Sequence, residues 1–176
     1  DTDTQLAGGR PSLLVDPGAV GNLSGSIWAH NQAALAMRNG RTPKQVKRGR
    51  ALEVGGVGQG KSACKYNCTP PIGLKRTDGS FSGGTFETPT VTNSNLPALL
   101  GLKSLRQRRC LMDLNTLRLH FCGPGDYKLE SVLPPGTETF PGELAPSGHL
   151  VLPCGELSGL DASEQYGTPD VGTTLA

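Results

Sequence analysis

Short apolar runs, interrupted by glycine, proline and asparagine, recur along this chain, and they are more typical of short strands than of long helices. The first run, LLV at residues 13–15, is followed at once by DPG at residues 16–18. An apolar run that stops at such a group predicts a buried strand over 13–15 and a tight turn after it. Asp16 would then stand at the end of that strand.

One segment has a helical rather than a strand-like pattern. In residues 26–38 the apolar side chains of Ile27, Ala34, Leu35 and Met37 give partial helical periodicity, and Gly40 follows as a stop signal. We therefore predict a helix over 26–38.

The remaining apolar segments are short and lie between turn signals. We predict strands over 51–54, 63–68, 98–100, 110–114 and 117–121, a short helix over 102–108, and turns at Asp78-Gly79 and Gly83-Gly84. Several short strands with one or two short helices indicate a mainly β domain, a closed barrel or a sandwich, over residues 1–122. Residues 123–176 are rich in proline and glycine, and they are expected to form an extended tail that wraps the domain or is disordered.

The charge distribution supports the same boundary. Residues 1–122 hold 16 Lys and Arg against 7 Asp and Glu, whereas residues 123–176 hold one Lys against 8 acids. The most basic stretch, Arg38–Arg50, carries six basic residues and no acid. It is interpreted as a solvated connection or as a contact for an acidic partner, which could be RNA or the chain's own acidic tail.

The five cysteines do not form a regular pattern. An odd number at irregular spacing argues against a disulfide framework and favours an intracellular, reducing compartment. Cys64 and Cys68 have a spacing found among zinc ligands, but no further pair of ligands stands at the usual offsets, so ordinary thiols are expected and no metal site. No apolar run approaches the roughly 18–20 residues of a membrane span.

The octet GGVGQGKS, Gly55–Ser62, matches the phosphate-loop pattern G-x-x-x-x-G-K-[ST]. A phosphate loop must lead into a helix whose first N–H groups face the anion. Pro70 and Pro71 leave room for only about two helical turns after the octet. A glycine-rich hairpin tip is the other interpretation, and a nucleotide-binding protein is kept as a third hypothesis.

Three short motifs, taken in order, resemble the signatures of retropepsins, the aspartic proteases of retroviruses and retrotransposons. LVDPGA at residues 14–19 resembles their active-site turn, and GGVG at residues 55–58 resembles the tip of the flap that covers their substrate. LLG at residues 99–101, followed by a helical stretch and by CLMD at 110–113, resembles their third signature. The resemblance covers roughly residues 10–122.

This resemblance implies a retropepsin-like closed β-barrel in which each chain contributes one catalytic aspartate, Asp16. A homodimer would supply the second aspartate, and the pair would hydrolyse a peptide or polyprotein without a cofactor. Gly18 and Ala19 would shape the site, and Gly55, Gly56, Val57 and Gly58 would cover the substrate.

Two positions depart from the family's pattern. Pro17 stands where the family usually has Ser or Thr, whose hydroxyl and N–H support the paired aspartates, and Lys103 stands where Asp or Asn is usual. These departures favour an alternative hypothesis, in which the same fold serves without catalysis as a binding or structural subunit of a larger assembly.

Overall fold

The computed structural model describes residues 4–55 and 60–160, and the chain divides into two compact units, Asp1–Tyr127 and Lys128–Ala176. The strands of the first unit are β1 (Leu13–Asp16), β2 (Ser24–Gly25), β3 (Lys44–Val54), β4 (Ser62–Thr69), β5 (Pro71–Lys75), β6 (Phe81–Thr85), β7 (Thr88–Val91), β8 (Ala98–Gly101), β9 (Cys110–Asp113) and β10 (Arg118–Phe121). Its helices are α1 (Ser26–Arg38) and α2 (Leu102–Gln107), with one 3₁₀ turn at Ala7–Gly9. The fold is mainly β, as predicted.

The strands of the first unit pair into several small sheets. The largest has four strands in the order β2-β7-β4-β3, and three two-stranded sheets are formed by β1 with β8, β5 with β6, and β9 with β10. Within the described residues these sheets do not join into a continuous ring of strands. The prediction of a closed barrel is therefore corrected to a set of small open sheets.

Helix α1 matches the predicted helix residue for residue. The helix ends at Arg38, and the Gly40 N–H donates to the Met37 carbonyl at 3.0 Å. Two residues after the end of the helix, Gly40 adopts a φ of +70°. This is the left-handed conformation for which glycine is favoured after a helix. The helix packs against β2, β5 and β7.

Two local predictions were wrong. Gly83 and Gly84 form no turn, because they lie inside β6 and pair with Gly73 and Ile72 of β5. The strand β1 is half-buried rather than buried, since its only partner strand in the described structure is β8. The Asp78-Gly79 turn is confirmed: it joins β5 to β6, and Gly79 has a φ of +90°.

The core of the first unit lies where α1, the four-stranded sheet, β8 and α2 meet. Its buried apolar side chains are Ala29, Ala36, Cys64, Phe86, Val91, Ala98, Leu102 and Leu105. The ring of Trp28 meets that of Phe86 edge-on, with centroids 5.6 Å apart. These contacts fix α1 against the loop between β6 and β7.

The second unit contains little regular structure. A short hairpin of β11 (Glu143–Leu144) and β12 (Leu150–Val151) lies between 3₁₀ turns at Leu129–Ser131 and Leu157–Gly159. This agrees with the high proline and glycine content of the segment.

Candidate active site

Asp16 is the last residue of β1, at the start of a tight turn. Strand β1 runs parallel to β8, and Asp16 stands opposite Gly101 in the register. The Gly18 N–H donates to Asp16 Oδ1 at 3.0 Å, and the Ala19 N–H donates to the Asp16 carbonyl at 3.1 Å. One carboxylate oxygen is thus fixed by the turn that follows it.

A side chain at Gly18 would crowd the Asp16 carboxylate. A Cβ atom on Gly18 would lie 3.1 Å from Asp16 Oδ1, which is tighter than most real contacts of such an atom. A side chain here would push the carboxylate away from the N–H that orients it. The geometry therefore explains a glycine two residues after Asp16.

The turn is held from the other side by the junction of β8 and α2. The Leu102 N–H donates to the Ala19 carbonyl at 2.7 Å, and the Lys103 N–H donates to the Val20 carbonyl at 3.0 Å. These two donors belong to the first turn of α2, where backbone N–H groups have no partner within the helix. The turn after Asp16 thus supplies the acceptors that the start of α2 needs.

Gly101 permits this close approach. A Cβ atom on Gly101 would overlap the backbone carbonyl of Gly21 and lie 3.0 Å from the Ala19 carbonyl oxygen. The structure therefore brings together the predicted Asp16 turn and the predicted LLG segment, which are far apart in sequence.

Asn22 is a site residue that the sequence reasoning missed. Its Oδ1 accepts from the Gly101 N–H at 2.9 Å, and its Nδ2 donates to the Glu87 carbonyl at 2.9 Å. One amide side chain thus ties the Asp16 turn to β8 and to the segment before β7. In the sequence, the feature that could have pointed to it is that Asn22 directly follows a glycine and stands six residues after Asp16.

The predicted flap corresponds to a long antiparallel hairpin. Strand β3 pairs with β4 from Lys44 opposite Thr69 to Val54 opposite Ser62, with a bulge between Lys47 and Leu52. Gly55 directly follows β3, whereas Gly56, Val57 and Gly58 lie outside the described residues.

The same hairpin bears on the phosphate-loop hypothesis. Ser62 begins β4, so the octet is followed by an antiparallel strand and not by a helix. Lys61 forms an exposed ion pair with Glu53, with Nζ 3.5 Å from Oε2. The helix N-terminus on which a phosphate loop depends is not supplied by this segment.

The cysteines are free thiols. Cys64 is fully buried on β4, and burial raises its pKa above the ordinary value of 9.0, with a smaller opposing effect from Arg48. Burial also raises the pKa of Cys68, opposed by a hydrogen bond with Thr90. Within residues 4–55 and 60–160, no three His, Cys, Asp or Glu side chains are grouped so that they could hold a metal ion.

The basic stretch Arg38–Arg50 runs from the end of α1 into β3, and most of its side chains are exposed. Arg48 is an exception, since its Nη1 donates to Asn67 Oδ1 at 2.6 Å. The strand β3 is an edge of its sheet, and exposed Lys and Arg on an edge strand discourage pairing with other chains. An acidic partner for this stretch stays a prediction.

Comparisons of this chain with protein-family models, with curated proteins and with solved structures found no match. Neither of the two α-helices in the described part of the chain has the length and apolarity needed to cross a membrane.

Proposed function

We propose that this protein is a retropepsin-like aspartic endopeptidase in which Asp16 acts with the same residue of a second copy. The observation that carries the proposal is the hydrogen-bonded turn after Asp16. The Gly18 N–H orients the Asp16 carboxylate, and the first two N–H groups of α2 donate to the carbonyls of the turn. The parallel pairing of β1 with β8, which leads directly into α2, supports the retropepsin-like fold as well.

Two aspartates brought together would share one proton, because neighbouring like charges cannot both ionise at little cost. The ionised carboxylate takes a proton from a water molecule while the water oxygen bonds to the peptide carbonyl carbon. The other carboxyl donates its proton to the carbonyl oxygen. When the tetrahedral intermediate breaks its C–N bond, the first carboxyl gives the departing nitrogen the proton that it took from water, and a hydroxyl of the intermediate returns its proton to the other carboxylate. The amine and the new carboxylic acid then leave, and the pair again shares one proton.

Other residues of this chain would bind the substrate. Gly18 and Ala19 border the carboxylate, and the absence of bulky side chains there lets a peptide backbone come near. The hairpin that ends in Gly55, Gly56, Val57 and Gly58 would cover the peptide from the opposite side, since glycine allows both mobility and close approach.

The test is an endopeptidase assay with a peptide library from about pH 4 to about pH 7, a range that includes the second of the two proton losses of a carboxyl pair. Asp16→Asn is expected to abolish cleavage, because an amide cannot take up the water proton. The matched control is Asp78→Asn, since Asp78 accepts the Ser80 N–H at 2.9 Å in the same kind of turn and lies outside the site. Equal activity of wild type and Asp16→Asn, or no activity at concentrations where the protein is dimeric, would refute the proposal.

A second candidate function is favoured by Pro17. Proline has no N–H and no hydroxyl, so this chain lacks both groups that support paired aspartates in the family it resembles. The same fold would then act as a non-catalytic binding or structural subunit. Sedimentation of wild type and Pro17→Thr separates the two candidates: tighter dimers and faster cleavage in the variant favour the protease, and a monomeric, inactive protein in both cases favours the binding subunit.

A further inference from the structure

An open cavity of about 420 Å³ lies between α1, the residues that lead into β1, and the β5–β6 hairpin. Its volume falls in the range of about 300–1,000 Å³ that is usual for small-molecule sites. Asp16 and the turn that follows it do not line the cavity. A ligand bound here would therefore be distinct from a substrate bound at Asp16.

One wall of the cavity is an apolar face of α1. Trp28, Gln32 and Leu35 line the cavity from α1 at helical spacing, and residues of both faces of the β5–β6 hairpin, among them Ile72 and Phe81, line it on the other side. The Trp28 indole N–H donates to the Ser12 carbonyl at 3.2 Å, so the ring is fixed in place. Phe81 is 75% exposed, which leaves an aromatic side chain at the open side of the cavity.

Gln32 brings an unused hydrogen-bond acceptor to this wall. Its side chain is buried, with the residue 8% exposed, and Nε2 donates to the Pro71 carbonyl at 3.0 Å. Its Oε1 has no hydrogen-bond partner among the described residues. The residue also lines a smaller neighbouring cavity of about 110 Å³. A buried acceptor without a partner is unfavourable, so a bound N–H or O–H donor would be stabilised here.

Arg41 brings a positive charge to the same cavity. The Arg41 N–H donates to the Ala36 carbonyl at 2.9 Å, and Ala36 stands one helical turn after Gln32 on α1. Its guanidinium forms no hydrogen bond or ion pair with a described residue, while the residue as a whole is exposed. A guanidinium whose N–H donors are unused binds a carboxylate or a phosphate well, because its fork of donors matches their oxygens.

Two glycines of the β5–β6 hairpin line the cavity, and one of them, Gly83, lies beside Arg41. Gly73 and Gly83 are partners across the β5–β6 hairpin and share one face of it. A Cβ atom on Gly73 would meet nothing within 4 Å, and one on Gly83 would meet only Arg41 Nη1, at 4.0 Å. Neither glycine has a positive φ, so the backbone conformation does not require glycine at these positions. Because these two residues have no side chain, they leave empty a volume that a larger residue on the strand would fill.

We infer that this cavity binds a small amphiphilic carboxylic acid that carries an N–H donor, of the class of an N-acyl amino acid or the C-terminal residue of a peptide. The carboxylate pairs with Arg41, the N–H donates to Gln32 Oε1, and the apolar side chain packs against Trp28. The three features lie in one cavity, and this class of ligand satisfies all of them.

The experiment is a titration with N-acetylphenylalanine, followed by the fluorescence of Trp28 and by the NMR signal of its indole N–H. Trp28 is the only tryptophan of the chain, so both signals report on the cavity wall. For a ligand of this size we expect saturable binding with a Kd on the order of 1 mM. N-acetylphenylalaninamide, which lacks the carboxylate, and 3-phenylpropanoic acid, which lacks the N–H, should each bind about fivefold more weakly.

Variants assign the contacts. Gly83→Val is expected to abolish binding by filling the cavity, whereas Gly84→Val, its neighbour outside the lining, should keep the Kd of the wild type. Arg41→Gln should remove the preference for the acid over the amide, and Gln32→Met the preference for the ligand with the N–H. Circular dichroism and thermal unfolding check that each variant is folded.

Two results would overturn the inference. One is the absence of saturable changes in both signals up to about 20 mM ligand, well above the expected Kd. The other is equal binding by folded Gly83→Val and Gly84→Val. Because Asp16 lies outside the cavity, Asp16→Asn should bind the acid as the wild type does, and failure of the protease proposal would leave this binding unchanged.

Discussion

Replacing Gly101 by alanine tests whether the β8–α2 junction contacts the Asp16 turn as closely as described. The added Cβ atom would overlap the Gly21 carbonyl, so β8 and α2 must move away from the turn. Such overpacking costs about 1–3 kcal/mol. The movement also weakens the hydrogen bonds from Leu102 N–H to Ala19 and from Gly101 N–H to Asn22, each worth about 1 kcal/mol.

Alanine also restricts the unfolded chain, which returns about 0.4–1 kcal/mol in favour of the folded state. The net loss expected for Gly101→Ala is therefore about 2–3 kcal/mol, which for a unit of this size lowers Tm by roughly 10 °C. Thermal unfolding followed by circular dichroism, together with urea unfolding, measures both quantities.

Gly21→Ala is the matched control, because Gly21 lies on the other side of the same contact and a Cβ atom there meets nothing within 4 Å. It should leave the free energy of unfolding unchanged or raise it by up to about 1 kcal/mol. If Gly101→Ala and Gly21→Ala unfold at the same temperature, the close approach does not exist in the protein.

Three further predictions concern the surroundings of the site. Asn22→Asp keeps an acceptor for Gly101 but loses the donor to the Glu87 carbonyl, so we expect a loss of about 1–2 kcal/mol in urea unfolding, and no loss would exclude the bridge. Arg109 donates to the Gly123 and Gly125 carbonyls at 2.8 and 2.6 Å, a fork that lysine cannot reproduce. Arg109→Lys should therefore lower the NMR order parameters of the backbone amides of residues 123–127, the control Arg108→Lys should not, and equal order parameters in both variants would contradict the fork. Burial raises the pKa of the Cys64 thiol, so as pH rises the thiol ionises in the unfolded chain before it ionises in the folded protein. The buried neutral thiol therefore contributes fully to the free energy of unfolding below about pH 9, and this contribution is lost as pH rises through the pKa of the folded state. Cys64→Ala should therefore make the fall in unfolding free energy between about pH 8 and about pH 10.5 shallower, and an unchanged slope would contradict this assignment.

The sequence predicted those features that depend on local signals. Helix α1 was predicted from apolar spacing and a terminal glycine, and the Asp78-Gly79 turn from a dipeptide that tolerates positive φ. Gly83 and Gly84 were misassigned because the same dipeptide signal is overridden when a partner strand supplies hydrogen bonds. A local pattern cannot report what a distant segment provides.

In the candidate site, too, the residues with a local signal were predicted and those that depend on distant segments were missed. Asp16 and Gly18 were recognised from a short motif, and the hydrogen bond between them is a local one. Asn22 was missed because both of its partners, Gly101 and Glu87, are reached only through the tertiary fold. The cavity beside Arg41 was missed for the same reason, since it joins α1 to a hairpin about forty residues further on.

The bond between Asn22 and the Gly101 N–H spans 79 positions of the chain, and it has a consequence for the order of synthesis. Pairings of this length form slowly, because the entropy of closing a long loop is lost before the contact stabilises anything. As long as residues 98–107 have not been synthesised, Asp16 has neither β8 nor α2 behind it. The carboxylate turn is completed only after residues 98–103 have left the exit tunnel, so a nascent or truncated chain contains the aspartate without the support that orients it.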